Sequence, residues 1–207
     1  ALVLPLAVPG YVMAYTYTDL LQFVGPVQAA LRETFDWTRA DYWFPDVRSL
    51  GGAVILFSLV LYPYVYMLAR TAFLERAGGM LEVGRSLGLG PWASFWRVSL
   101  PLARPAIAAG VSLALMETLA DFGAVSYFGV QTFTTGIYRA WFSLGDRVAA
   151  AQLATALLGF VILVLAFERL SRGRARFNDT TLRRARFQAR RLRGARAALA
   201  VIACLIP

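Results

Sequence analysis

The sequence contains no histidine and no lysine, and its single cysteine is Cys204. Without histidine there is no imidazole metal site, no Ser-His-Asp triad and no Cys-His dyad. One cysteine excludes an internal disulfide and a thiolate metal cluster. Without lysine a Walker A loop cannot be written, so any ATP hydrolysis through that motif belongs to another chain. Charge is also scarce, at 16% of 207 residues. What is abundant is apolar: 58% of the chain, with 14 Phe, 9 Tyr and 5 Trp, against about 45–50% apolar in soluble domains. This is the composition of a membrane protein. The net charge of +9 does not point to nucleic acid, because the arginines lie in blocks between long apolar runs, as membrane topology requires.

Five apolar segments stand out: Ala1 to Thr18, Ser49 to Ala69, about Pro105 to Val125, Val148 to Phe167, and a run starting near Ala197. A spanning helix needs roughly 20 apolar residues, and backbone groups in lipid must bond internally. The expectation is therefore an all-α polytopic transmembrane bundle. Arginine counts set its orientation. The stretch from Arg70 to Arg104 carries five arginines and that from Arg169 to Arg196 carries eleven, while the alternating connections carry only Arg32, Arg39, Arg48, Arg139 and Arg147. The first two stretches read as cytoplasmic and the others as outward. In the outward connection DWTRADYWFPD, residues Trp37, Tyr42, Trp43 and Phe44 suit a membrane interface or a cap packed on a neighbour. The Arg-rich stretch reads as an anchor on anionic lipid. The N-terminal stretch lacks the features of a signal peptide. Since the chain starts and stops within apolar runs, it reads as a fragment of a longer polypeptide.

Between the second and third segments lies LERAGGMLEVGRSLGLGPWASFWRVSLPLARPAIAAG. Joining two helices takes only a few residues, and this stretch has about thirty. The pattern predicts a short amphipathic helix over 73–87, a break at Gly88, Gly90 and Pro91, and a second short helix over 93–98. Pro101 and Pro105 then restrict the entry into the third segment. An ordered hairpin of this kind suits insertion into a partner.

The spacing within it resembles the "EAA" loop of ABC-importer permeases: Glu-Ala-Ala, three residues, Gly, nine residues, Ile-x-Leu-Pro. Here the pattern is Glu82-Val83-Gly84, three residues, Gly88, nine residues, Val98-Ser99-Leu100-Pro101. Val83 and Gly84 replace the two alanines and Val98 replaces isoleucine. Gly84 loosens its helical turn by up to ~1 kcal/mol against Ala. The resemblance implies a coupling helix docked on an ATPase subunit, with Glu82 anchoring a basic group of the partner and Gly88 permitting the turn. Further stretches, LPLAVPGYVMAY, LYPYVYMLAR and METLADFGAVSYFGVQTFTTGIYRAWFSLGD, resemble ferric-iron permeases of the binding-protein-dependent type, in which two homologous halves are fused. Thiamine, polyamine, sulfate and phosphonate permeases share that architecture.

On this resemblance residues 1–170 are a partial transmembrane permease domain with its coupling loop at 71–104. Residues 171–196 are an Arg-rich cytoplasmic linker, and 197–207 begin the next membrane segment. The implied partners are a cytoplasmic ATPase dimer carrying ATP and magnesium, a periplasmic substrate-binding protein, a second permease half and membrane lipid, in a bacterial inner membrane. The chain itself needs no cofactor and is not an enzyme. Ferric iron is the expected cargo; thiamine, polyamine or an oxyanion are alternatives within the class. Proton-coupled secondary transport and a membrane-embedded carboxylate enzyme are the alternatives outside it.

Glu117 and Asp121 are four residues apart, which places both on one face of a continuous helix. Counting from Arg104, Glu117 lies roughly 20 Å into the membrane. A carboxylate facing lipid there costs at least ~2.5 kcal/mol. It therefore faces the bundle interior, an aqueous path or a partner. Two roles stay open: a lining of the translocation pathway, where carboxylate oxygen suits a hard cation, or a polar pair that holds neighbouring helices.

Overall fold

Long runs of Leu, Val, Ala and aromatic residues with few interior breakers fold as helix wherever no turn signal interrupts them. The computed structural model describes residues 2–172 and 194–205, and the side chains of 75–83, 85, 171, 172, 196, 200 and 203–205 fall outside that description. Among the described residues every regular element is helical. In chain order these are α1 (Gly10–Leu21), α2 (Pro26–Phe35), α3 (Leu50–Ser86), α4 (Pro91–Ser94), α5 (Leu100–Ala120), α6 (Gly123–Tyr127), α7 (Phe133–Tyr138), α8 (Arg147–Arg172) and α9 (Ala195–Leu205). A 3-10 turn, Leu4–Ala7, precedes α1, and π-helical turns follow α4 (Phe95–Ser99) and α7 (Arg139–Ser143).

Among the described residues three stretches are long and apolar enough to cross a membrane: Leu50–Leu74, Pro91–Ala120 and Arg147–Leu170. They correspond to the second, third and fourth apolar segments. The first segment differs from expectation. Pro5 sits in the 3-10 turn and Pro9 caps α1, leaving a 12-residue helix about 18 Å long, too short to span. The described part of the last segment is the 11-residue α9. Most of the basic linker, residues 173–193, lies outside the described residues.

Two of the long helices start on short polar side chains. Ser49 Oγ accepts the N–H of Gly52 (3.1 Å) ahead of α3, and Asp146 Oδ1 accepts the N–H of Ala149 (2.9 Å) ahead of α8. Both satisfy amide donors that a helix leaves unpaired at its start.

The chain divides into two compact units, and α3, α5 and α8 each contribute residues to both. One unit comprises Leu2–Tyr62 and Glu117–Phe160. In it α1 packs on α6 through Ala14 and Ala124, both fully buried, and the Tyr15 and Tyr127 rings approach to 4.0 Å. The outward connection contains α2. There the Trp37 ring stacks on Phe35 at 4.7 Å and on Tyr42 at 5.9 Å, while Trp43 stays 86% exposed. The other unit comprises Pro63–Met116 and the chain from Val161 onward. In it α3 and α5 cross at Gly110, where an added Cβ would stand 2.6 Å from the Cα of Val65. Glycine lets α3 and α5 approach backbone to backbone, as small residues do in membrane bundles.

Candidate functional site

The segment expected to form a hairpin of two short helices is built differently. Its first helix is the C-terminal part of α3, which runs without interruption from Leu50 to Ser86. Its second helix, α4 with the π turn, leads directly into α5. Two membrane-length helices thus meet at a corner of four residues, 87–90. Gly88 there has φ +67°, the left-handed conformation that glycine adopts without penalty. The N–H of Leu89 returns to the carbonyl of Gly84 at 2.9 Å, closing α3 with the 6→1 bond of a Schellman motif. Gly90 then caps α4, with Pro91 in its first turn and Ser94 N–H donating to Gly90 O (2.9 Å).

Gly84 is buried, and a Cβ on it would run into Ser94 Oγ and stand 2.9 Å from Ser94 Cβ. Ser94 is 7% exposed. Glycine at this place is therefore a close-approach residue, where sequence reasoning saw only a loosened helical turn. Farther from the corner the Phe73 and Phe95 rings stack at 6.1 Å, and Phe95 lies 6.4 Å from Trp92 and 5.4 Å from Trp96. Leu87 (63% exposed), Trp92 (76%) and Trp96 (59%) leave an apolar and aromatic tip uncovered. Ser94, Trp92 and Trp96 fall outside the anchor positions of the EAA-like spacing. The signal available was the density of aromatics in PWASFW, directly after a Gly-Leu-Gly turn.

Pro101 and Pro105 were expected to restrict the entry to the third segment. Both lie within the continuous helix. Proline clashes with the carbonyl four residues earlier, and the π turn just before Pro101, where Leu100 N–H bonds to Phe95 O, supplies the extra residue that relieves the clash. Val98, Leu100 and Pro101 are half-buried. Glu82 and Val83 fall in the last turns of α3, with side chains outside the described residues.

The two acids differ from each other. Glu117 is on the last turn of α5 and exposed on this chain. The helix stops at Ala120, so Asp121 stands just past it rather than continuing the same helical face. Its Oδ1 accepts the N–H of Val125 (3.1 Å) at the start of α6, and its backbone carbonyl accepts the Thr134 hydroxyl (2.6 Å). Thr134 adjoins the Thr132–Thr135 capping box that opens α7. Asp121 thus ties the end of α5 to α6 and α7. Among the described residues no three Asp, Glu, Cys or His side chains gather at one place.

Three membrane-length helices, two of them meeting at a tight glycine corner with an exposed aromatic tip, define a polytopic helical membrane protein with an ordered connection between its spans. Residues 2–176 match the family described as binding-protein-dependent transport system inner membrane component, and the chain belongs to that family. The family is a transport permease component rather than an enzyme, and ATPase activity in such systems resides in a separate subunit. The chain is 31% identical over 175 residues to the Fe(3+)-transport system permease protein FbpB 2 of Haemophilus influenzae, covering 84% of this chain and 30% of that protein. It is 30% identical to the molybdenum transport system permease protein ModB of Escherichia coli, covering 83% of this chain and 76% of ModB. It is 29% identical to a probable sulfate transport system permease protein of Chlorokybus atmophyticus, over 59% of this chain and 38% of that one. The chain thus spans less than a third of the iron permease and about three quarters of the molybdenum permease.

Proposed function

We propose that this chain forms the membrane pathway of an ATP-driven importer, with the corner at 84–101 as the element that receives force from a cytoplasmic ATPase dimer. The observation that carries the reading is the coincidence of the Glu82…Gly88…Pro101 spacing with a rigid corner between two membrane-length helices. Because α3 and α5 are continuous with that corner, a push on it moves the helices as rigid bodies rather than bending a loop. The uncovered Leu87, Trp92 and Trp96 supply the apolar anchors that a docked helix inserts into a groove, and Glu82 supplies a charge for a basic residue of the ATPase. ATP with magnesium is bound and hydrolysed on that partner.

The arginine asymmetry orients the corner to the cytoplasm of a bacterial inner membrane. The connection at 19–49 then faces a periplasmic binding protein that delivers cargo. Only 6% of the Arg147–Leu170 window is buried within the chain, leaving its apolar side chains for lipid and for a second permease half. Glu117, exposed on this chain near the end of α5, lines the pathway between the halves, with Asp121 setting the geometry beside it.

Ferric iron is the first reading for the cargo, on the resemblance to fused iron permeases. The similarity to ModB at nearly equal identity and greater coverage of the relative favours a second reading, an oxyanion such as molybdate. The deciding experiment reconstitutes the intact permease with its ATPase in proteoliposomes. ATP hydrolysis is then measured with binding proteins loaded with ferric iron, molybdate or sulfate. Stimulation by the iron-loaded protein alone establishes the first reading, and stimulation by a loaded oxyanion protein replaces it. Absence of stimulation by every loaded protein removes the coupling role.

A further inference from the structure

Residues between 18 and 48 line a half-open pocket of about 500 Å³, with Arg39 and Arg48 exposed at it. Several of its polar groups are already committed. Gln28, 5% exposed, donates through Nε2 to the Leu21 carbonyl (2.7 Å) and accepts the Tyr42 hydroxyl on Oε1 (2.8 Å). Arg32 donates to Tyr42 (3.1 Å) and to the Phe23 carbonyl (2.9 Å). This relay holds the Tyr42 side of the pocket in place and leaves those groups little to offer a ligand.

Two other groups that line the pocket are uncommitted or partly so. The Arg39 guanidinium lies 5.0 Å from the Phe23 ring centroid and has no hydrogen-bond acceptor among the described residues. Arg48 spends Nε and Nη2 on the Tyr127 carbonyl (3.1 and 2.7 Å), which leaves Nη1. Thr18 also lines the pocket, but its hydroxyl is closed off within the fold and offers nothing to a ligand. The one carboxylate on the lining, Asp46, accepts the backbone N–H of Arg48 (3.0 Å), so the two guanidiniums leave the site with one net positive charge. Guanidinium forks match oxygens held on a common centre. The volume accommodates a tetrahedral oxyanion with several waters at about 30 Å³ each, or a carboxylate together with the side chain that carries it.

We propose that this pocket is an oxyanion-binding site, with Arg39 as the principal donor and Arg48 as the second. The proposal goes beyond the importer reading and does not depend on which cargo is carried. The test uses the intact permease in nanodiscs at fixed ionic strength, titrated calorimetrically with sulfate, molybdate, inorganic phosphate and acetate against a chloride control. At least one oxyanion is expected to bind saturably. Arg39→Gln should weaken it about tenfold or more, and Arg39→Lys, which keeps the charge but not the fork, should weaken it less. Melting temperatures confirm that the variants fold, and Arg39→Lys carries the comparison if Arg39→Gln does not. No saturable binding above chloride overturns the proposal, as does one unchanged affinity across the folded Arg39 variants and the wild type. Preference for tetrahedral anions assigns the ligand to a free oxyanion, while equal competition by acetate assigns it to the acidic side chain of a docked protein. ATPase stimulation measured in parallel separates the two readings. Failed binding with intact coupling removes this site alone, and binding without coupling removes the importer reading alone.

Discussion

Gly84 and Ser94 show how one side chain sets a helix contact. Glycine was legible as a departure from the alanine of the EAA pattern, but its reason lies ten residues away, in the Cβ and Oγ of Ser94. Restoring the alanine should therefore harm this chain. Gly84→Ala is expected to lower stability by about 1–3 kcal/mol through overpacking, and Ser94→Gly in the same chain should recover most of the loss. Thermal unfolding of both single variants and the double variant reads the coupling directly. Asp41 gives a pH dependence at the same scale. Both the N–H and the hydroxyl of Thr38 donate to its Oδ2 (2.7 and 2.6 Å), and these bonds hold its carboxyl below the ordinary value. A depressed carboxyl stabilises the folded turn fully above the unfolded value of about 3.9 and loses that effect as pH falls through the lower folded value. Acid titration of the fluorescence of neighbouring Trp37 and Trp43 should show this transition, and Asp41→Asn should remove it.

At the scale of elements, the starts of the second and fourth apolar runs could be read to within a residue, because uncharged stretches of membrane length admit only helix, but the helix of the second run continues past Ala69 to Ser86. The corner could not be read that way. Pro101 and Pro105 look like breakers in sequence, yet one π turn absorbs the first and the helix continues through both. The first apolar run misled in the other direction: its length suggested a span, and Pro5 and Pro9 cut it to 12 residues of helix. The crossing of α3 and α5 yields a sharp prediction. Gly110→Ala places a Cβ against the Val65 backbone, which cannot rotate away, and should destabilise the pair by about 1–3 kcal/mol. Gly159→Ala, in α8 with open space around it, should be neutral or stabilising by up to about 1 kcal/mol. Unfolding in one detergent distinguishes them, and equal effects would show that α3 and α5 do not meet at Gly110.

At the scale of the whole molecule, the predictions concern transmission between the corner and the pathway. Glu82→Lys should uncouple ATP hydrolysis from uptake while leaving membrane insertion unchanged; undiminished uptake by that variant removes Glu82 from the docking role. Glu117→Ala should reduce uptake several-fold while the ATPase still co-purifies with the permease. Loss of co-purification instead would make Glu117 a structural residue of the bundle.

Composition and pattern by themselves determined the class: an arginine-only, histidine-free chain with recurrent apolar runs is a helical membrane protein, and the Glu82-to-Pro101 spacing marked the segment that joins two of its spans. Both are properties of short windows of sequence, where hydropathy and turn chemistry act locally. Only the tertiary structure decided that the segment is a rigid corner continuous with its helices, that Gly84 and Gly110 are contact points, and that Asp121 braces α6. It also decided that Arg39 and Arg48 line one pocket. Those facts depend on which backbones approach closely and which polar atoms are left without partners, and residues far apart in the chain settle such questions only once it has folded.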